Sequence, residues 1–151
     1  MSNSQQQDFG ILLNMAFNSF RESLERQLAK QGFEDIGAQY GYVFRCLARE
    51  PRNLRYIANQ LKMTPQGALK IIKEMVSKGY VSREAHESDG RIKYLRLTPR
   101  ASQAVACARR FHARYEMDLS QRLGSKSVQN ARTVLEAISE NSDSDSLLRP
   151  I

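Results

Sequence analysis

The stretch Thr64-Pro65-Gln66-Gly67-Ala68-Leu69-Lys70-Ile71-Ile72-Lys73-Glu74-Met75-Val76-Ser77-Lys78-Gly79 carries a start signal, a two-sided helical pattern and a stop. Thr64 suits the N-cap, where a side-chain oxygen accepts from an orphan amide, and Pro65 suits the first helical position, where a missing N–H costs nothing. Gly79 ends the helix after Lys78. With Gln66 set at 0° and about 100° added per residue, Gln66, Lys70, Lys73 and Ser77 fall between about −20° and 40°. Ala68, Leu69, Ile71, Ile72, Met75 and Val76 cover the opposite side, from about 140° to 300°. One face is a core face, and the other is a narrow stripe of cations and hydrogen-bonding groups.

Just upstream, Asn53 is placed to cap a short helix whose Leu54, Ile57, Ala58 and Leu61 form an i, i+3, i+4, i+7 stripe. Only Lys62 and Met63 separate this helix from Thr64. A short helix, a tight turn and a second helix with a polar outer stripe is the helix-turn-helix arrangement, in which the second helix enters the major groove of DNA. Downstream, Tyr80 to His86 and Ile92 to Thr98 read as two strands, with Leu95 and Leu97 on one face and Tyr94 and Arg96 on the other. Ser88-Asp89-Gly90-Arg91 joins them, and Asp-Gly between such strands is a strong hairpin signal. Lys93 and Arg96 make this hairpin basic, and Arg91 at its tip suits a narrow minor groove, where negative potential concentrates. Asp89 is placed to hold Arg91 extended through an ion pair.

Long helices flank this centre. Phe9, Leu12, Leu13, Ala16, Phe17, Phe20, Leu24 and Leu28 recur at helical steps and stop at Gly32, with Lys30 in the last turn. A second helix is expected from about Ala38 to Ala48, closed by Pro51. Thr98-Pro99 repeats the cap-plus-proline device and opens a long helix striped with Ala101, Ala104, Val105, Ala108, Phe111, Tyr115 and Leu119. Gly124 breaks it, and Ser125 or Ser127 is expected to cap a last helix carrying Val128, Ala131, Leu135 and Ile138. The tail Asn141 to Ile151 is rich in serine and aspartate and reads as mobile.

Charge locates the functional surface. The net charge of +7 divides as −1 over residues 1–48 (4 basic, 5 acidic), +7 over 49–100 (12 basic, 5 acidic) and +1 over 101–151 (7 basic, 6 acidic). All of the excess lies in the segment that holds the helix-turn-helix and the hairpin. A solvated basic surface and a polyanion-binding module both fit such a concentration.

For catalysis the materials are thin. His86 and His112 are the only histidines, and no nucleophile elbow or phosphate-binding glycine loop is present. Cys107 and His112 are five apart, about 140° around a helix, and do not converge as metal ligands. No metal, cofactor or enzymatic activity is expected. Cys46 and Cys107 both read as small core residues rather than redox sensors, and so low a cysteine count fits a reducing compartment. No apolar run approaches the length of about 20 residues that a bilayer span needs, and Met1 to Asp8 does not read as a secretory signal. A cytoplasmic protein with no membrane contact is expected.

The run Leu54-Arg55-Tyr56-Ile57-Ala58-Asn59-Gln60-Leu61 resembles the first helix of a winged helix-turn-helix. Met63-Thr64-Pro65-Gln66-Gly67-Ala68-Leu69, followed by Met75-Val76-Ser77-Lys78-Gly79-Tyr80-Val81-Ser82-Arg83, resembles its recognition helix and first wing strand. Ser88-Asp89-Gly90-Arg91 with Leu95-Arg96-Leu97-Thr98-Pro99-Arg100-Ala101 is similar to the wing of the MarR family. That wing carries an aspartate and a closely following arginine that enters the minor groove, which correspond to Asp89 and Arg91. Gly90 stands where many members carry another arginine, so one backbone contact is absent from the pattern. The resemblance is specific over about residues 53–101; elsewhere it consists of helix order and length.

The expected fold is mainly α (α+β): a winged helix-turn-helix with a long-helix dimerisation region, about six helices and one β-hairpin wing. Residues 38–98 form the DNA-binding domain, and 1–37 with 99–151 form the dimerisation region. The resemblance implies a homodimer on an inverted-repeat operator in double-stranded DNA, and a small lipophilic or phenolic effector that weakens binding. The terminal helices agree on the dimer, since they carry more apolar positions than one small winged helix covers. A chain this small fits a repressor that blocks polymerase. The expected DNA-binding residues are Thr64, Pro65, Gln66, Gly67, Lys70, Lys73, Ser77, Asp89, Arg91 and Lys93. Residues for an effector follow no local motif, and Tyr40, Phe44, Phe111 and Tyr115 read as core. The alternative is a winged-helix interaction module that binds protein or RNA without reading DNA sequence.

Overall fold

The computed structural model describes residues 7–85, 88–91 and 93–140. Within them lie six helices and one antiparallel hairpin. The chain divides into two compact units, 1–36 and 37–151.

The first unit holds α1, Phe9–Lys30. It ends in a Schellman motif: Gly32 takes φ +87°, its amide donates to the Ala29 carbonyl at 3.0 Å, and the Phe33 amide donates to Leu28 at 3.0 Å. Glycine is needed there because a left-handed backbone crowds a Cβ. Leu28 is the only buried residue of α1. Phe9, Ile11, Leu12, Met15 and Phe17 are exposed, Phe17 by 61%.

The second unit runs α2 Tyr40–Leu47, α3 Leu54–Gln60, α4 Pro65–Ser77, β1 Val81–Ala85, β2 Lys93–Leu97, α5 Pro99–Leu123 and α6 Ser125–Glu140. Its core gathers Val43, Ile57, Ile72, Met75 and Tyr80, all fully buried, with Ala68, Val81, Leu95, Ala101, Ala104 and Cys107 around them. Ala68 on α4 and Ala101 and Ala104 on α5 are the small members of this core, packed with the larger buried side chains.

The caps follow the expected chemistry. Asn53 accepts from the Tyr56 amide at 2.9 Å, Thr64 from Gly67 at 3.1 Å and Thr98 from Ala101 at 3.2 Å. Gly79, at φ +79°, closes α4 while the Tyr80 amide donates to Met75 at 2.8 Å. The turn between α3 and α4 is made by Lys62 at φ +51°, with the Met63 amide donating to Ala58 at 3.0 Å.

Three expectations shift. The second helix starts at Tyr40 rather than at about Ala38. Neither Ser125 nor Ser127 caps α6: Ser125 is already its first residue, and the Val128 amide donates to the Gly124 carbonyl. Gly124, at φ +89°, is the one residue between α5 and α6 and caps the end of α5. At their outer ends the strands stop short of Tyr80 and Thr98, with Val81–Ala85 and Lys93–Leu97 as strand. His86 and Ile92, the inner ends expected for the two strands, and the tail Asn141 to Ile151 lie outside the described residues.

Val81 pairs with Leu97, Arg83 with Leu95 and Ala85 with Lys93, so these six share one face of the hairpin. Arg52 adds a third, single-residue edge: it exchanges backbone hydrogen bonds with Leu95 at 2.8 and 3.2 Å. Cys107 is buried and Cys46 half-buried. Burial pushes the Cys46 thiol above its ordinary pKa, with Arg52 opposing, which disfavours the reactive thiolate.

Candidate nucleic-acid interface

The stripe drawn from angles is the solvent face of α4. Thr64, Pro65, Gln66, Lys70, Lys73 and Ser77 are exposed, and Gly67 is half-buried under the cap. Ala68, Ile72 and Met75 are buried on the opposite side. A Cβ on Gly67 would stand 3.3 Å from Thr64 Oγ1, so a side chain there would press on the cap that starts the helix. The Ser77 hydroxyl donates to the Glu74 carbonyl at 2.7 Å, which leaves its lone pairs rather than its proton facing outward.

At the hairpin tip Asp89, Gly90 and Arg91 are exposed, and Lys93 starts β2 beside them. Asp89 behaves differently from the expectation: its Oδ1 accepts from the Arg91 backbone amide at 3.0 Å. This is an Asx turn, the bond a short acidic side chain makes to an amide two residues on. It fixes the backbone of Arg91, whose side chain is exposed.

The basic segment sorts into cations that are occupied and cations that are not. Arg96 donates through Nε to both carboxylate oxygens of Glu84 at 3.1 Å, Arg52 pairs with Glu50, and Lys78 lies 2.8 Å from Glu74. Arg100 stacks 4.7 Å from the Tyr80 ring centre and donates to its hydroxyl at 3.1 Å. Among the described residues, Arg49, Arg55, Lys70, Lys73, Arg83, Arg91 and Lys93 are exposed and make no ion pair. Arg49, Arg55 and Arg83 are additions to the expected set, and the signal for them was the charge count of the segment.

Glu74 is the other residue the sequence reading passed over. It interrupts the cationic face of α4 and is exposed. The hydrogen bond from Lys78, then the one from Tyr40, hold its carboxyl below the usual range. Lys78 is held above its usual value mainly by the Glu74 carboxylate.

These features have a counterpart among known proteins. Residues 34–92 match the MarR family. Over that segment the chain is similar to the MarR family. The YusO protein of Bacillus subtilis superposes with a TM-score of 0.69 at 15% identity, over 94% of this chain and 100% of that one. A variant of S. aureus MepR bound to an oligodeoxyribonucleotide gives 0.64 at 17% identity, over 89% and 98%. The transcriptional repressor CouR, bound to a 23-mer DNA duplex, gives 0.66 at 23% identity, over 87% and 92%. At these identities the likeness is one of fold. No curated protein matches the chain in sequence at a significant level. MarR-family proteins are transcriptional regulators and not enzymes. Among the described residues there is no metal-binding group of His, Cys, Asp and Glu, and no helix long and apolar enough to cross a membrane.

Proposed function

We propose that the chain is a homodimeric transcriptional regulator that binds an inverted-repeat operator in double-stranded DNA. The observation that carries this reading is the exposed stripe Gln66, Lys70, Lys73 and Ser77 on α4, in one MarR-type fold with an exposed, basic hairpin tip. Gln66 supplies a donor and an acceptor for base edges, and Lys70 and Lys73 supply charge for phosphates or guanine. Thr64, Pro65 and Gly67 set the start of α4 against the groove. Arg91 enters the minor groove from a backbone fixed by Asp89, and Lys93 follows on the strand. MepR and CouR, each bound to DNA in its structure, support the partner assigned here.

Two copies are required by the helices at the ends of the chain. No residue of the 16-residue α6 is buried, and Val134, Leu135 and Ile138 are exposed on it, as are Met117 and Leu123 on α5. α6 meets α5 but leaves this apolar face uncovered, so the face needs a partner, and a second copy supplies the same apolar surface. Residues 1–37 and 99–151 then form the dimerisation region, and 38–98 the DNA-binding domain. The protein is cytoplasmic and acts as a repressor released by a small lipophilic or phenolic effector.

The test is competition: a labelled duplex selected by the protein from a random pool, displaced by unlabelled selected or random duplex. The reading expects preferential displacement by the selected duplex, with half-sites about 10 base pairs apart or a multiple of that. Equal displacement by both would favour a winged-helix module for protein or RNA instead.

A further inference from the structure

Tyr40 begins α2, 34 residues ahead of Glu74 on α4, yet its hydroxyl donates to Glu74 Oε1 at 2.5 Å. The same oxygen accepts from Lys78 Nζ at 2.8 Å, and Lys78 also lies 5.3 Å from the Tyr40 ring centre. The ring is 2% exposed and meets Phe44 and Tyr80 edge-on, at 6.4 and 5.9 Å between centroids. Its remaining side is closed by backbone: a Cβ on Gly37 would stand 2.8 Å from Tyr40 Cε1. The Tyr40 amide donates to the Gly37 carbonyl at 3.1 Å, so ring and backbone are both referred to that residue.

We propose that Tyr40 is a positioning residue for the recognition helix, a bolt that fixes the middle of α4 to the start of α2 through Glu74 and sets the angle at which Gln66, Lys70 and Lys73 meet DNA. The inference rests on the DNA-binding reading above. Apolar packing of Ile72 and Met75 holds α4 to the core, but such packing is non-directional and tolerates small rotations of a helix about its axis. A hydrogen bond to a charged acceptor is directional, and its acceptor stands on the flank of the face that reads bases. The buried ring is rigid because three neighbours and Gly37 confine it. Movement of the segment that enters α2 is therefore passed to α4 rather than absorbed.

The test uses the full-length protein and the duplex it selects from a random pool, by fluorescence anisotropy at fixed salt. Tyr40→Phe keeps the ring and removes the hydroxyl. It is expected to weaken selected-duplex binding by roughly three- to tenfold, the range one lost hydrogen bond supports, and to leave random-duplex binding within about twofold. Tyr40→Phe should add no loss in a Glu74→Ala background, because the bond it removes is already gone. Glu74→Gln retains an acceptor and should bind at least as tightly as wild type, a rescue that a merely structural role for the carboxylate would not give. Gly37→Ala, which drives a methyl into the ring, should reproduce the loss of preference, whereas Gly41→Ala, with nothing within 4 Å, should not. Selected-duplex affinity unchanged in Tyr40→Phe, or strictly additive losses in the double variant, would overturn the inference and leave the DNA-binding reading standing. A wild type that selects no sequence would overturn both.

Discussion

Salt dependence separates a DNA interface from a generally basic surface, and the structure gives it a number. Of the proposed contacts, Lys70, Lys73, Arg91 and Lys93 are exposed cations without a carboxylate partner. Four per protomer make eight in a dimer, and each neutralised phosphate contributes about −0.9 to the slope of log K against log salt, so the slope should be about −7. Binding should then weaken by about 10⁴-fold between 50 and 200 mM salt. Lys73→Ala removes two contacts from the dimer and should bring the slope to about −5. The charge-neutral pair Glu84→Ala with Arg96→Ala should leave it unchanged, because that guanidinium is already held by the carboxylate at 3.1 Å. Anisotropy titrations of a labelled duplex at five salt concentrations give both slopes. A wild-type slope near −2, or no change in Lys73→Ala, would refute the assignment of α4 to the phosphates.

Three further outcomes are expected. Arg91→Ala should weaken selected-duplex binding about tenfold while the dimer sediments unchanged, as one good groove contact supports; unaltered affinity would remove the hairpin tip from the groove. Thr64→Ala loses the bond to the Gly67 amide at 3.1 Å and should cost about 1 kcal/mol, seen as a fall in melting temperature of about 2–4 °C at fixed protein concentration. Burial, and secondarily Arg45, lowers the pKa of His112 below its ordinary 6.5. The unfolded chain therefore protonates first as pH falls, so stability is full above about 6.5 and declines below it, through the lower folded value. Thermal melts between pH 7.5 and 5.5 should show that decline, and His112→Gln should flatten it.

Local chemistry was readable and distant pairing was not. Asn53, Thr64 and Thr98 announced their caps because each bond closes within three residues. The face of α4 was readable because helical period alone decides it. The facing of β2 was readable in the same way, with Leu95 buried and Leu97 on its side of the strand. By contrast, nothing local links Tyr40 to Glu74, Glu84 to Arg96 or Arg52 to Leu95; each pair meets only after the fold has closed. Glu74 in particular looked like one charge among several on a polar flank. The turn after α3 was readable from its length, but not its conformation: its left-handed residue is Lys62, where sequence habit expects glycine or asparagine.

Thr98 is the single residue between the wing and α5: β2 ends at Leu97 and the helix begins at Pro99. Its amide donates to Tyr80 and its hydroxyl to Gly79, both at the exit of α4. There is no slack at this joint. Five strand residues at about 3.4 Å each put the tip roughly 17 Å from it. A tilt of about 10° at the start of α5 thus swings Arg91 by about 3 Å, enough to make or lose a hydrogen bond. The hairpin has the proportions of a lever with its fulcrum at Thr98, steadied part-way along by the two backbone hydrogen bonds between Arg52 and Leu95.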